Sequence, residues 1–129
     1  MKRIIRGIGN GFFVVALLIV LSAAVMAILQ VKPVIVVSGS MEPAIETGSL
    51  VLINTRNPDV EKGDVIAFER GEIMVVHRAI RETAEGWITK GDNNACEDPG
   101  IVGRESIRGT TVLCLPKVGY ILAVLRPFG

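Results

Sequence analysis

The sequence has few of the residue types that mark several common protein classes. Of its 129 residues, 5% are aromatic, two are Cys and one is His, and 14 basic residues nearly balance 13 acidic ones. A formal net charge of +1 lacks the basic excess of nucleic-acid-binding proteins, so no nucleic-acid partner is expected. One His and two distant Cys do not have the spacing of metal ligands, so we expect no metal and no cofactor. Cys96 and Cys114 are compatible with one disulfide bond or with two free thiols.

Charge is also missing from a long stretch near the N-terminus. Residues 7–31 carry no charged side chain, and residues 11–29 are almost wholly apolar. A bilayer-spanning helix needs about 20 such residues, whereas the apolar core of a cleavable signal peptide has about 7–15. We therefore predict a retained transmembrane anchor over residues 7–31, with Pro33 marking the exit from the helix. A signal peptide cleaved after Val25-Met26-Ala27 is the alternative.

The charges on either side of this anchor predict its orientation. Lys and Arg residues occupy three of the first six positions, whereas only Lys32 follows the apolar stretch closely. Because positive charge favours the cytoplasmic side, we expect residues 1–6 in the cytoplasm and residues 32–129 outside.

The exported part has the pattern of short strands separated by polar turns. We predict strands over Val34–Val37, Ser49–Ile53, Val65–Phe68, Ile73–Ile80, Gly86–Thr89 and Thr110–Leu115. A loop rich in Asn, Asp and Gly covers residues 91–103. The predicted fold is mainly β, with one N-terminal transmembrane helix followed by a small antiparallel, partly closed β-domain. The apolar segment 118–129 is too short to span a bilayer, and it either lies on one or completes the core.

Two serines separated by a glycine follow the first predicted strand, in Ser38-Gly39-Ser40-Met41-Glu42-Pro43. A serine nucleophile needs a base that removes its proton and donors that hold the oxyanion. One serine is suited to attack, while the other hydroxyl and a backbone N–H bind the oxyanion. For the motif as a whole, an ordinary polar turn is the alternative. The apolar Met41 beside the serines suggests a shallow substrate pocket for small side chains, and the alternative is that Met41 only packs the core and the pockets are deep.

Several residues are candidates for the base and the orienting carboxylate that such a serine needs. His77 is the one histidine, and imidazole exchanges protons near neutral pH, so it is the natural general base. A carboxylate usually orients a catalytic histidine, and either Asp92 or Asp98 is suited to this task. Lys90 is an alternative base, because burial can activate a lysine toward a serine.

Together these segments resemble the signal peptidase I family, and specifically its archaeal and endoplasmic-reticulum-type branch. The resemblance covers nearly the whole chain and begins with the N-terminal anchor. Its motifs are Ser-Gly-Ser-Met-Glu-Pro (38–43), Gly-Asp-Val-Ile (63–66), Val-His-Arg (76–78), Thr-Lys-Gly-Asp-Asn-Asn (89–94) and Pro-x-x-Gly-Tyr (116–120).

The resemblance implies a role for each matched residue. Ser40 is the implied nucleophile, and Ser38 with the backbone N–H of Ser40 is the implied oxyanion hole. His77 takes the place of the lysine base of most bacterial members, and Asp92 and Asp98 match the two aspartates of the histidine-using branch. The resemblance does not favour the lysine at position 90 as the base.

The implied function is a membrane-bound serine endopeptidase that removes N-terminal signal peptides from secreted and membrane preproteins. It would cut after small residues at the outer face of the cell membrane or, in a eukaryote, of the endoplasmic reticulum membrane. The expected partners are signal peptides and the lipid bilayer, and a contact with the protein translocation machinery is left open. The substrate is expected to add as an extended strand to an exposed sheet edge. A related enzyme dedicated to a few substrates and a membrane-anchored, non-enzymatic β-scaffold are the alternatives.

Overall fold

The computed structural model describes residues 2–56 and 59–118, with side chains described from residue 9 onward. Most of the apolar C-terminal segment, residues 119–129, therefore lies outside the described residues, and so does our prediction for it. The chain divides into two compact units between Gln30 and Val31. The first contains a helix and the second a β-sheet.

Helix α1 extends over Lys2–Ile28. Its segment Gly9–Ile28 has 20 residues and a mean hydropathy of 2.8, and none of its most apolar window is buried within the protein. Its length and composition fit a membrane span. The helix ends before the predicted exit at Pro33, because Gln30 takes a left-handed conformation with φ of 52° that cannot continue it. Pro33 itself lies in the first strand.

The second unit is a single seven-stranded sheet in which every pair of neighbours is antiparallel, so the predicted mainly β fold is confirmed. Its strands are β1 (Val31–Ile35), β2 (Leu50–Asn54), β3 (Val65–Arg70), β4 (Ile73–Glu82), β5 (Gly86–Lys90), β6 (Val102–Gly103) and β7 (Ile107–Leu115). The spatial order is β1-β2-β7-β3-β4-β5-β6, which leaves β1 and β6 as edges and the sheet not closed. Pro33, which has no N–H to donate to a ladder, lies on the edge strand β1.

Two groups of apolar side chains form the core. One contains Val36, Met41, Ile45, Val51, Ile53 and Ala67, and the other contains Ile66, Phe68, Ala79, Trp87, Val102 and Ile107. Adjacent residues of β3 contribute to different groups, because successive side chains of a strand point to opposite faces. The segment between β1 and β2, which contains the Ser-Gly-Ser motif, is thus anchored through Val36, Met41 and Ile45.

The observed strands differ from the predicted ones mainly at their ends. Strand β1 begins at Val31 and stops at Ile35, before the Ser-Gly-Ser motif. Strand β6 and the short 3-10 helix Arg104–Ser106 were not predicted. Of the two alternatives for the cysteines, the structure has two free thiols, with Cys96 exposed and Cys114 half-buried.

Candidate active site

Three side chains from different parts of the chain contact one another in series, one from a strand and two from the loops between strands. The Oγ atom of Ser40 lies 3.0 Å from Nε2 of His77. Nδ1 of His77 lies 2.5 Å from Oδ2 of Asp98. When the Nδ1–H donates to the carboxylate, Nε2 is left as the acceptor for the serine O–H. This geometry can transfer the serine proton to the imidazole.

The fold shields the histidine side chain from most of the solvent. His77 lies in β4 opposite Ile66 of β3, and its ring and the buried ring of Phe68 form a T-shaped pair with centroids 6.4 Å apart. The His77 side chain is 11% exposed and the Asp98 side chain 7%, so water competes little for the hydrogen bond between them.

The second serine of the motif is close to the first. The Oγ atoms of Ser38 and Ser40 are 3.2 Å apart, and the Ser38 side chain is exposed. Gly39 between them has Glu42 side-chain atoms 3.3 Å from the position of a Cβ, so a larger residue is tightly confined there. The two hydroxyls therefore lie within hydrogen-bonding distance of each other, which makes Ser38 a candidate oxyanion donor beside Ser40.

The two candidate aspartates have different partners. Asp98 contacts His77, whereas both oxygens of Asp92 accept hydrogen bonds from Arg78, at 2.8 Å from Nε and 2.6 Å from Nη2. Arg78 also donates to the carbonyl of Gly63 at 2.7 Å. The hydrogen bond from Arg78 is the main cause that lowers the pKa of Asp92 and keeps it ionised. The geometry thus offers Asp98 as the group that orients the histidine, and Asp92 as the anchor of a neighbouring turn.

That turn, residues 91–94, holds the backbone of the motif. The N–H of Asn93 donates to the carbonyl of Ser40 at 2.9 Å, and its Nδ2 donates to the carbonyl of Gly39 at 3.2 Å. A Cβ at Gly91 would lie 2.6 Å from the same Ser40 oxygen, so only glycine fits this approach. Sequence reasoning missed Arg78 and Asn93 as site residues, although both lie inside the quoted motifs.

The expectation that Met41 contacts the substrate needs correction. Its side chain is completely buried and packs in the core with Val36, Ile45 and Val51. A side chain with no exposed surface cannot line a substrate pocket. Met41 instead fixes the position of the preceding Ser40, since burying such a side chain stabilises the fold by about 2 kcal/mol.

A cleft of about 410 Å³ adjoins Ser38, Ser40 and His77. Its walls are mostly apolar and come from the chain around β1 and from the hairpin of β3 and β4, namely Val34, Ile35, Val36, Val37, Arg70, Ile73, Met74, Val75 and Val76. Within the described part of the chain, β1 pairs only with β2, and residues 73–77 of β4 pair only with β3. Two free strand edges therefore line the cleft.

Lys90 lies in β5 opposite Arg78, and the Ser40 hydroxyl has His77 as its basic neighbour. Among the described residues, no group of three or more His, Cys, Asp or Glu side chains is placed to hold a metal ion.

Comparison with known proteins finds matches over most of the chain. The model of the Peptidase S24-like family matches residues 23–112. Catalytic subunits of the signal peptidase complex, SEC11, are 38% identical over 106 residues in Clavispora lusitaniae and 34% identical over 106 residues in Scheffersomyces stipitis. Each alignment covers 71% of this chain and 64% of the relative.

The chain belongs to the Peptidase S24-like family. The similarity to SEC11 subunits confirms its resemblance to the signal peptidase I family and to the endoplasmic-reticulum-type branch, which was predicted from the motifs. The SEC11 subunit of Eremothecium gossypii is also similar, at 39% identity over 103 residues, which cover 68% of this chain and 62% of the relative. This family member spans just under two thirds of the length of these curated relatives.

Proposed function

We propose that this chain is a membrane-bound serine endopeptidase that removes N-terminal signal peptides from secreted and membrane preproteins. The observation that carries the proposal is the series of contacts from Ser40 through His77 to Asp98 beside an apolar cleft. The name of the relatives, signal peptidase complex catalytic subunit, supports the substrate class.

The proposed reaction proceeds through an acyl-enzyme. Ser40 Oγ attacks the scissile carbonyl carbon while Nε2 of His77 takes the serine proton. The C–N bond then breaks as the imidazolium returns this proton to the leaving amine. Water attacks the ester in the second half, again with His77 as the base, and releases Ser40.

The oxyanion of the tetrahedral intermediate needs donors beside the nucleophile. The Ser38 hydroxyl, 3.2 Å from Ser40 Oγ, and the backbone N–H of Ser40 are the proposed pair. Asp98 is the proposed partner that keeps the proton on Nδ1 of His77 and stabilises the imidazolium. For Asp92 we propose a supporting role through Arg78 in place of a contact with the histidine.

The substrate is proposed to bind as an extended strand in the cleft. The free edges of β1 and of residues 73–77 in β4 offer backbone donors and acceptors on both sides of such a strand. Side chains of an extended peptide alternate in direction, so every second residue would enter the apolar wall.

We further propose an N-terminus in the cytoplasm and a catalytic domain outside, anchored in the cell membrane or the endoplasmic reticulum membrane. The apolar helix segment Gly9–Ile28 and the basic residues that precede it support this orientation. The bilayer would retain the apolar core of a signal peptide near the anchored enzyme, which raises the effective concentration of the cut site.

Signal peptides and lipid are thus the proposed partners, and the word complex in the relatives' names supports a partner subunit or translocation component.

The decisive experiment is cleavage of a model preprotein by the purified full chain in liposomes. Wild type is expected to release the signal peptide, and Ser40→Ala is expected to abolish cleavage while thermal unfolding stays unchanged. Ser106→Ala, outside the site, is the matched control and should cleave like wild type. Near-normal turnover by Ser40→Ala would disprove the assigned nucleophile, and an inactive wild type would count against the peptidase itself.

A further inference from the structure

Thr89 is a buried polar residue directly behind the proposed Ser40–His77–Asp98 contacts. It lies in β5 with no exposed surface. Its hydroxyl donates a 2.7 Å hydrogen bond to Oδ2 of Asp98, the same oxygen that lies 2.5 Å from Nδ1 of His77. The same oxygen of the Asp98 carboxylate is therefore in contact with both the Thr89 hydroxyl and the His77 ring.

A second contact joins the same two residues through the backbone. The N–H of Asp98 donates to the carbonyl of Thr89 at 2.8 Å. Asp98 lies outside the strands, in the polar segment between β5 and β6, where no strand pairing holds its backbone. The strand residue Thr89 thus holds both the main chain and the carboxylate of a loop residue.

We propose that Thr89 is a positioning residue for the reaction, which acts by fixing the carboxylate of Asp98 toward the imidazole. The inference rests on the proposed function, because it assigns a role within that same site. With the hydroxyl in place, the carboxylate cannot rotate Oδ2 away from Nδ1 without breaking a charge-assisted hydrogen bond in a dry environment. A fixed carboxylate keeps the Nδ1–H tautomer, so Nε2 stays ready to accept the Ser40 proton.

The location of Thr89 separates this role from substrate binding. Its side chain is fully buried, and it is absent from the residues that line the cleft. Loss of its hydroxyl should therefore lower kcat and leave KM nearly unchanged, since substrate contacts stay intact.

The test compares Thr89→Val, which keeps the volume but removes the hydroxyl, with Thr89→Ser, which keeps the hydroxyl but removes a methyl group. We expect kcat for preprotein cleavage to fall about 10- to 100-fold in Thr89→Val, the effect of losing one hydrogen bond to a charged group. Thr89→Ser should stay within about threefold of wild type, because it keeps the hydroxyl, although loss of the methyl group leaves a small cavity. If Thr89 acted only by filling space, Thr89→Ser would lose more activity than Thr89→Val.

Thr89→Ala keeps the comparison valid if Thr89→Val does not fold. Alanine and serine both lack the threonine methyl group and differ from each other only in the hydroxyl. Thr89→Ala should then show the low kcat and Thr89→Ser the high one. Equal kcat in Ala and Ser variants would overturn the proposal.

His77 supplies a readout that is independent of cleavage, because it is the one histidine in the chain. Its imidazole nitrogen resonances report the tautomer without ambiguity of assignment. Wild type and Thr89→Ser should show the Nδ1–H form, and Thr89→Val should show a mixture of tautomers. If wild type cleaves but Thr89→Val has an unchanged spectrum and kcat, the role of Thr89 is refuted. If wild type does not cleave, the proposed function fails, and the spectra still decide whether Thr89 fixes the imidazole.

Discussion

Asn93 donates its backbone N–H to the carbonyl oxygen of Ser40 at a distance of 2.9 Å. The turn after β5 is thereby attached to the backbone of the proposed nucleophile. The same turn is held on its other side by the two hydrogen bonds between Asp92 and Arg78. Arg78 follows His77 directly in β4, so one strand supports both the proposed base and the turn that positions the serine.

Gly91→Ala should reduce kcat strongly, because the new Cβ would meet the Ser40 oxygen at 2.6 Å and displace the serine backbone. A shift of about 1 Å in a catalytic group costs on the order of 100-fold in rate. Cleavage kinetics of the full chain measure the effect, with exposed Cys96→Ser in the same loop as the control. A Gly91→Ala variant with wild-type kcat would show that the close approach does not matter for the position of Ser40.

Ser38→Ala should lower kcat by about 10²- to 10³-fold with little change in KM, the usual result of removing one oxyanion donor. Ser38→Thr keeps the hydroxyl and is the matched control, for which we expect most of the activity to remain. Steady-state cleavage of one preprotein gives both constants. The oxyanion role is wrong if the alanine and threonine variants lose activity to the same extent.

His77→Ala should lose at least about 10⁴-fold in kcat, as removal of the base from a serine–histidine pair does in other hydrolases. Lys90→Met should remain within a few-fold of wild type, because Ser40 has His77 as its hydrogen-bonded basic neighbour. An active His77→Ala beside an inactive Lys90→Met would reverse the assignment.

The strand pattern and the motif residues were accessible from sequence, because alternation, turn residues and motif order are local features. The sequence could not decide whether Asp92 or Asp98 contacts His77, since both lie in one polar loop and either could reach a histidine. The structure separates them through Arg78, whose side chain points to the opposite face from that of His77. The sequence also could not decide whether Met41 contacts the substrate or packs in the core. The direction of its side chain depends on how the turn after Ser40 packs. The sequence predicted Thr89 only as a strand residue. Its hydrogen bond to Asp98 depends on the path of the loop between them, which the sequence pattern does not give.

Asp92→Asn should destabilise the protein at neutral pH, and the difference from wild type should shrink in acid. The Arg78 hydrogen bond, with smaller charge effects of Arg78, Lys90 and His77, lowers the pKa of Asp92 from the ordinary value of 3.8. Its contribution is therefore fully present above that value and is lost as the pH falls through the lower pKa of the folded state. Urea unfolding at about pH 7, 5 and 3 measures the difference in the free energy of unfolding. Glu72→Gln, an exposed change in the β3–β4 turn, is the control, and a difference that grows in acid would contradict the ion-pair explanation.

The shape of the cleft predicts which side chain the enzyme accepts immediately before the cut. Its walls beside Ser40 and His77 carry the β-branched residues Val36, Val37 and Val76, whose stiff side chains adapt poorly to a large neighbour. Ala and Ser should therefore be cleaved efficiently, Leu slowly, and Phe and Asp hardly at all, since Phe lacks space and Asp would bury an unpaired charge. One preprotein with each of these five residues at the cut site gives the relative kcat/KM values. The same five substitutions well beyond the cut serve as controls for preprotein folding and should leave the rates nearly equal. Cleavage after Phe or Asp at the rate seen for Ala would show that the walls do not select for size or polarity.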